Sequence, residues 1–342
     1  MCVKCFGMSI VGLTILSTLL LREVPAVGSG ANEKVPDASG EFAQVVLRGF
    51  EFSGAAKVEN GFLVCDDELV GTVIFLPYPQ ATEKIELRCS LVKAERKKKE
   101  SKPFTNLPRL ATVQDIEGIA SDGNTKVFLT GSHNPKDGER RTDRELILEG
   151  EWNLEKDTGQ WRLVWKNECW SLIDYLAEPM KEQLKVDLGV TKTTVHPQFN
   201  VEGLAYHDGY LYIGLRGPLT RNGKAILCRV GSSELFDPAK PKDFILEELD
   251  LDKGGIRSLE WDPKTNRLLI LSGGTTDGDK TAPYLWSYDP RTRDLKKIAE
   301  FPEEVTRKGS PEGVARGSDG RLMIVIDSET ASSGDILFLT SP

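Results

Sequence analysis

The chain has 342 residues, enough to bury a substantial core in one large domain or two smaller ones. A net charge of −8 argues against any general affinity for nucleic acid. Frequent glycine and proline among short apolar runs favour brief strands joined by turns over long helices.

The N-terminus reads as an address. Lys4 precedes an apolar run from Phe6 to Leu21, followed by Arg22, Glu23 and the small-residue stretch "VPAVGSGA". Val24 and Ala26 suit the −3 and −1 positions of a secretory cleavage site. The run is shorter than the roughly 20 apolar residues that a spanning helix needs. A signal peptide over 1–26 is therefore predicted, with a retained anchor as the alternative. The expected location is periplasmic or extracellular, with no stable membrane span after cleavage. Residues 27–41, including "GSGANE", read as a flexible linker.

From residue 42 to 342 the chain repeats itself. After a lone strand, "FAQVVLRGFE" (42–51), comes "EFSGAAKVENGFLVCDDE" (51–68). Its counterparts are "DIEGIASDGNTKVFLTGSHN" (115–134), "NVEGLAYHDGYLYIGLRGP" (200–218), "GIRSLEWDPKTNRLLILSGGT" (255–275) and "SPEGVARGSDGRLMIVIDSE" (310–329). Each is a strand, a tight Gly/Asp/Asn turn and a second strand, the pattern of a β-hairpin. Two further strands follow each hairpin except the last, which has only "GDILFLT" before the chain ends. The strand at 42–51 can supply the missing one beside 335–340.

Radially repeated four-stranded units closed by one terminus completing the other's blade make a β-propeller. An all-β single domain of five four-stranded blades over 42–342 is predicted. A six-bladed ring is the alternative if residues 170–195 contain strands. Those residues instead space Leu172, Ile173, Leu176, Met180 and Leu184 at helical intervals, so a small helical insertion near 170–189 is expected, broken or restarted at Pro179. Two β-sandwiches divided near residue 180 are the rival architecture, but matching hairpins on both sides of that cut argue against them. The basic run 93–102 reads as a solvated loop.

Cys65, Cys89, Cys169 and Cys228 lie in apolar or aromatic surroundings, where cysteine usually acts as a small buried hydrophobe. Export permits disulfides, but sequence leaves their pairing open. No Cys or His spacing suggests a zinc site.

The first strand of each propeller blade lines the central channel, and its antiparallel neighbour returns to the same rim. Ser53, Glu117, Glu202, Arg257 and Glu312 each begin a first strand, so they should form one ring. Second-strand ends bring Asp66, Asp67, His133, Asn134, Arg216, Ser272 to Thr275, Asp327 and Ser328 to that rim. Converging glutamates repel unless a cation lies among them. Two arrangements would relieve this: a structural network with Arg216 and Arg257, or a divalent cation, for which calcium suits oxygen ligands. Glycines 118, 203 and 313 either relieve crowding around the axis or allow a ligand to approach.

The stretch "NVEGLAYHDGYLYIGLRGPL", with "AILCRV" and "SPEGVA", resembles the domain-of-unknown-function family 3616, whose bacterial members are exported. The resemblance covers about residues 42–340. The Glu-Gly-Ile-Ala strand is more distantly similar to esterase-like phytase and gluconolactonase-type propellers. The nearer resemblance implies no activity, and the distant ones imply metal-assisted hydrolysis at the channel mouth.

Two functional readings follow. In the first, Glu117, Glu202, Glu312, Arg216, Arg257, Asp327, Asp67 and Asn134 bind a small polar or anionic ligand, or an extracytoplasmic polymer or protein. In the second, Glu117, Glu202, Glu312 and Asp327 hold a cation, and the protein hydrolyses an ester, phosphoester or lactone. His133 and Asp66 are then the candidate catalytic bases. No nucleophile elbow, P-loop or His-Glu-x-x-His helix is present.

Overall fold

The computed structural model describes residues 43–48, 51–67, 73–77, 92–93, 114–155, 160–307, 309–327 and 333–339. The expected signal peptide and linker, Cys89, Ser328 and all but the last residue of the strand expected from "EKIELRCSLV" (83–92) lie outside the described residues.

Strand β1 (Ala43–Arg48) stands apart in sequence from its sheet. Blade one contains β2 (Phe52–Val58), β3 (Gly61–Asp66) and β4 (Val73–Pro77), and β5 is the short strand Val92–Lys93. Blade two contains β6 (Ile116–Ser121), β7 (Lys126–Gly131), β8 (Ile147–Glu155) and β9 (Gln160–Cys169). Blade three follows with β10 (Asn200–His207), β11 (Tyr210–Gly217), β12 (Ala225–Gly231) and β13 (Ile245–Leu249). Blade four has β14 (Gly255–Asp262), β15 (Arg267–Gly273), β16 (Tyr284–Asp289) and β17 (Asp294–Glu300). Blade five has β18 (Ser310–Arg316), β19 (Leu322–Asp327) and β20 (Ser333–Leu339).

The five sheets form the predicted propeller, with β1 completing blade five in the order β1-β20-β19-β18. Ala43 pairs with Phe338 and Arg48 with Ser333, which is the expected closure by the N-terminal strand. The two-residue β5 pairs in parallel with β9, so blade two carries an added outer strand. Between blades two and three lies helix α1 (Leu172–Pro179), continued by a π-helical turn over Met180–Leu184. Pro179 cannot donate a helical hydrogen bond, and the chain changes winding there without stopping. Leu172, Ile173, Leu176 and Met180 enter the core shared by blades two and three, so this insertion adds no sixth blade.

Blade strands are apolar on both faces because each sheet is sandwiched by two others. In β15, Leu268 and Ile270 join the core against blade three, while Leu269 and Leu271 join the core against blade five. Trp152 and Trp165 fill the core between blades one and two. Cys65, Cys169 and Cys228 are buried free thiols in these apolar layers. Burial raises the Cys228 pKa to about 12.

The turn Asp208–Gly209 has both residues at positive φ, the conformation that joins twisted strands tightly. Near it, His207 stacks on Trp261 with ring centroids 3.7 Å apart, on the rim opposite the predicted ring. Crowding at the axis is concrete at Gly313. A Cβ there would lie 2.5 Å from Val325 Cγ2 and 2.9 Å from the Ala55 nitrogen. Blade four has Ser258 at the matching position, and its Oγ accepts the Val314 N–H at 3.2 Å, joining blade to blade. Gly313→Ala is expected to cost about 1–3 kcal/mol through overpacking. Urea unfolding measures it, and an unchanged midpoint would show that the inner strands have room.

Candidate functional site

Each innermost strand carries a β-bulge at the same place. In β6, Ile116 pairs with Gly131 and Gly118 with Thr130, leaving Glu117 between them without a partner. The same skip leaves Ser53 in β2, Glu202 in β10, Arg257 in β14 and Glu312 in β18. A bulge re-aims the extra residue and bends the strand. All five inner strands thus present their ring residue by one device at one rim. Register confirms that second strands return there: Asp66 lies opposite Phe52, and Asp327 opposite Ser310.

One half of the rim is an arginine-bridged network. Arg257 Nε lies 3.2 Å from Glu202 Oε2, and the other end of the guanidinium is paired with Glu312. Arg216 Nη1 donates to Glu202 Oε1 at 3.0 Å, and Asn200 Nδ2 donates to the same oxygen at 3.0 Å. Arg216 also reaches Asp277 Oδ1 at 2.8 Å and the Gly274 carbonyl at 3.2 Å. Glu202 and Glu312 therefore share one guanidinium. Arg257, delivered by the bulge between theirs, places a positive charge where the two would otherwise repel.

The other half is acidic. Carboxylate oxygens of Asp67, Asp115 and Glu117 all lie within 4.8 Å of one another. Burial, then the charges of Glu202, Asp115 and Asp67, holds Glu117 well above the usual carboxylate range. Burial and then Asp327, Asp115, Asp66 and Glu51 raise Asp67 to about 7. Asp67 Oδ1 is buried and accepts no hydrogen bond among the described residues. Asp115 is offset by Arg144 Nη1 at 2.7 Å and by a hydrogen bond from Ser132 Oγ. The mutually close carboxylate oxygens match the hard-oxygen preference of calcium.

The four glutamate and aspartate residues expected to share a cation make different close contacts. Glu117 joins the acidic group, and Asp327 acts on Asp67 from beside it. Glu202 and Glu312 lie with the arginines. Asp66 is buried and accepts the Glu51 N–H at 2.9 Å. His133 is 1% exposed, edge-on to Phe199, and burial followed by the Arg140 charge lowers its pKa to about 3. Asn134 is half-buried and its backbone N–H donates to Ser132 Oγ at 3.0 Å.

Sequence reasoning missed Asp115, Asn200, Arg144 and Asp277. The first two had a signal, because each stands two residues before a bulged glutamate. Among the described residues no helix is long and apolar enough to cross a membrane.

A family profile described as a protein of unknown function, DUF3616, matches residues 190–332. That span holds Glu202, Arg216, Arg257 and Glu312, while Asp67, Asp115 and Glu117 precede it. No curated protein matches the chain in sequence. Among solved structures, a glucose dehydrogenase is 13% identical with a TM-score of 0.42, covering 87% of this chain and 99% of that one. A soluble aldose sugar dehydrogenase from Escherichia coli is 11% identical with a TM-score of 0.38, covering 88% and 100%. A luciferin-regenerating enzyme is 12% identical with a TM-score of 0.38, covering 83% and 73%.

Proposed function

We propose that the channel mouth binds a hard divalent cation, calcium by preference, on Asp67, Asp115 and Glu117, and with it a small polar ligand. The observation that carries this reading is the set of three mutually close carboxylates. Calcium takes about 6–8 oxygen ligands, so three carboxylates would leave positions for water and for ligand oxygens. The buried, unbonded Asp67 Oδ1 is an acceptor suited to such an ion. The proposal retains export and a single domain over 42–342, supported by the apolar N-terminal run and by β1 closing blade five.

Metal-assisted hydrolysis of an extracytoplasmic ester, phosphoester or lactone is a second reading. It draws on the same three carboxylates, which would hold the cation beside the substrate. A bound cation would supply Lewis acidity to the substrate oxygen.

A ligand that binds only the folded state at one hundred times its Kd adds about 2.7 kcal/mol of stability. Calcium should therefore raise the melting temperature of the wild type by several degrees, and a chelator should reverse the gain. Glu117→Gln should lose most of that response. An identical melting temperature with calcium and with chelator in the wild type would sink the cation reading.

A further inference from the structure

Arg216 spreads its contacts unequally. Its Nη1 is fixed by Glu202, whose side chain is 2% exposed, and its Nε by the Gly274 carbonyl at 3.2 Å. Its Nη2 faces outward to Asp277, whose side chain is 99% exposed. Such an exposed pair is screened by solvent and contributes little to stability.

The loop carrying Asp277 does not depend on that contact for its shape. Asp279 organises it: Oδ2 accepts the Thr275 N–H at 2.8 Å, Oδ1 accepts the Thr281 N–H at 3.0 Å, and its own N–H donates to the Thr276 carbonyl at 3.1 Å. Releasing Asp277 would leave the loop folded and the Arg216 guanidinium held in place by Glu202 and Gly274.

We propose that the outward edge of Arg216 is an anion subsite of the channel mouth and that Asp277 is its built-in, displaceable occupant. The group it would take is a carboxylate or phosphate oxygen of a small ligand, which accepts from Nη2 as Asp277 Oδ1 does now. A guanidinium held flat by two other contacts suits planar recognition of such oxygens. Affinity for an external anion is reduced by the fraction of molecules in which Asp277 occupies the site.

The probe is inorganic phosphate, titrated calorimetrically in low-salt, metal-stripped buffer. Asp277→Asn should bind phosphate about three- to fivefold tighter than the wild type, the gain from emptying a weakly held site. Glu248→Gln removes the same charge from an exposed position on β13 and should match the wild type. In the wild type, the Arg216 Nε–H resonance should shift as phosphate is added. Asp277→Asn binding no tighter than the wild type, or Glu248→Gln gaining as much, would overturn the proposal. Without metal in the buffer, either result leaves the cation reading untouched.

Discussion

Replacing Arg257 by methionine is expected to lower the unfolding free energy by about 3–5 kcal/mol at neutral pH. Arg257 bridges Glu202 and Glu312, and all three side chains are buried. Methionine keeps much of the volume but leaves two carboxylates facing each other with less to offset them. Denaturant unfolding at neutral pH measures the deficit. A loss below about 1 kcal/mol would mean that the network contributes no more than surface ion pairs do.

Glu260→Gln is expected to stabilise the protein, increasingly so as pH rises. Glu260 lies on the inner strand β14, 7% exposed, near the opposite end of the channel. Burial, then the Asp262 charge, raises its pKa to about 8, although the Arg316 N–H, Lys57 and the Arg316 charge work against that. The folded state thus holds a proton that the unfolded chain releases near pH 4.3. Between that value and pH 8 the wild type loses stability by at most about 1.4 kcal/mol per pH unit, and above pH 8 the loss levels off. Glutamine keeps an acceptor for the Arg316 N–H and cannot ionise. The variant should match the wild type near pH 4.5 and exceed it by on the order of 3 kcal/mol at pH 8. A gain that is constant across this range would show that Glu260 does not titrate abnormally.

The propeller was legible because its hairpins repeat. Five copies of one strand-turn-strand pattern, with one strand left over at each end, fix both blade number and closure. The ring was legible for the same reason, since Ser53, Glu117, Glu202, Arg257 and Glu312 occupy one position of the repeat. What repetition hides is register. No local pattern announces that each of these residues is skipped by its partner strand, and that skip is what aims it.

Pairing within the ring was harder to read. Glutamate, glutamate and arginine in similar positions suit either a cation site or an ion-pair network, and the outcome depends on which blades are neighbours. Arg257 lies between Glu202 and Glu312 in blade order, so those two pair with it. Glu117 lies between Ser53 and Glu202 in blade order and meets Asp67 and Asp115. His133 follows a strand end, as expected of a rim residue, but its imidazole packs against Phe199, which belongs to a distant stretch of chain. Burial of that kind arises from tertiary packing and leaves no mark in the neighbouring sequence.

The cation site is tested most directly by anomalous scattering from crystals soaked in manganese, an oxygen-seeking stand-in for calcium. One peak is expected at about 2.0–2.6 Å from carboxylate oxygens of Asp67, Asp115 and Glu117. No peak at these residues, or a peak between Glu202 and Glu312 with Arg257 displaced, would contradict the account.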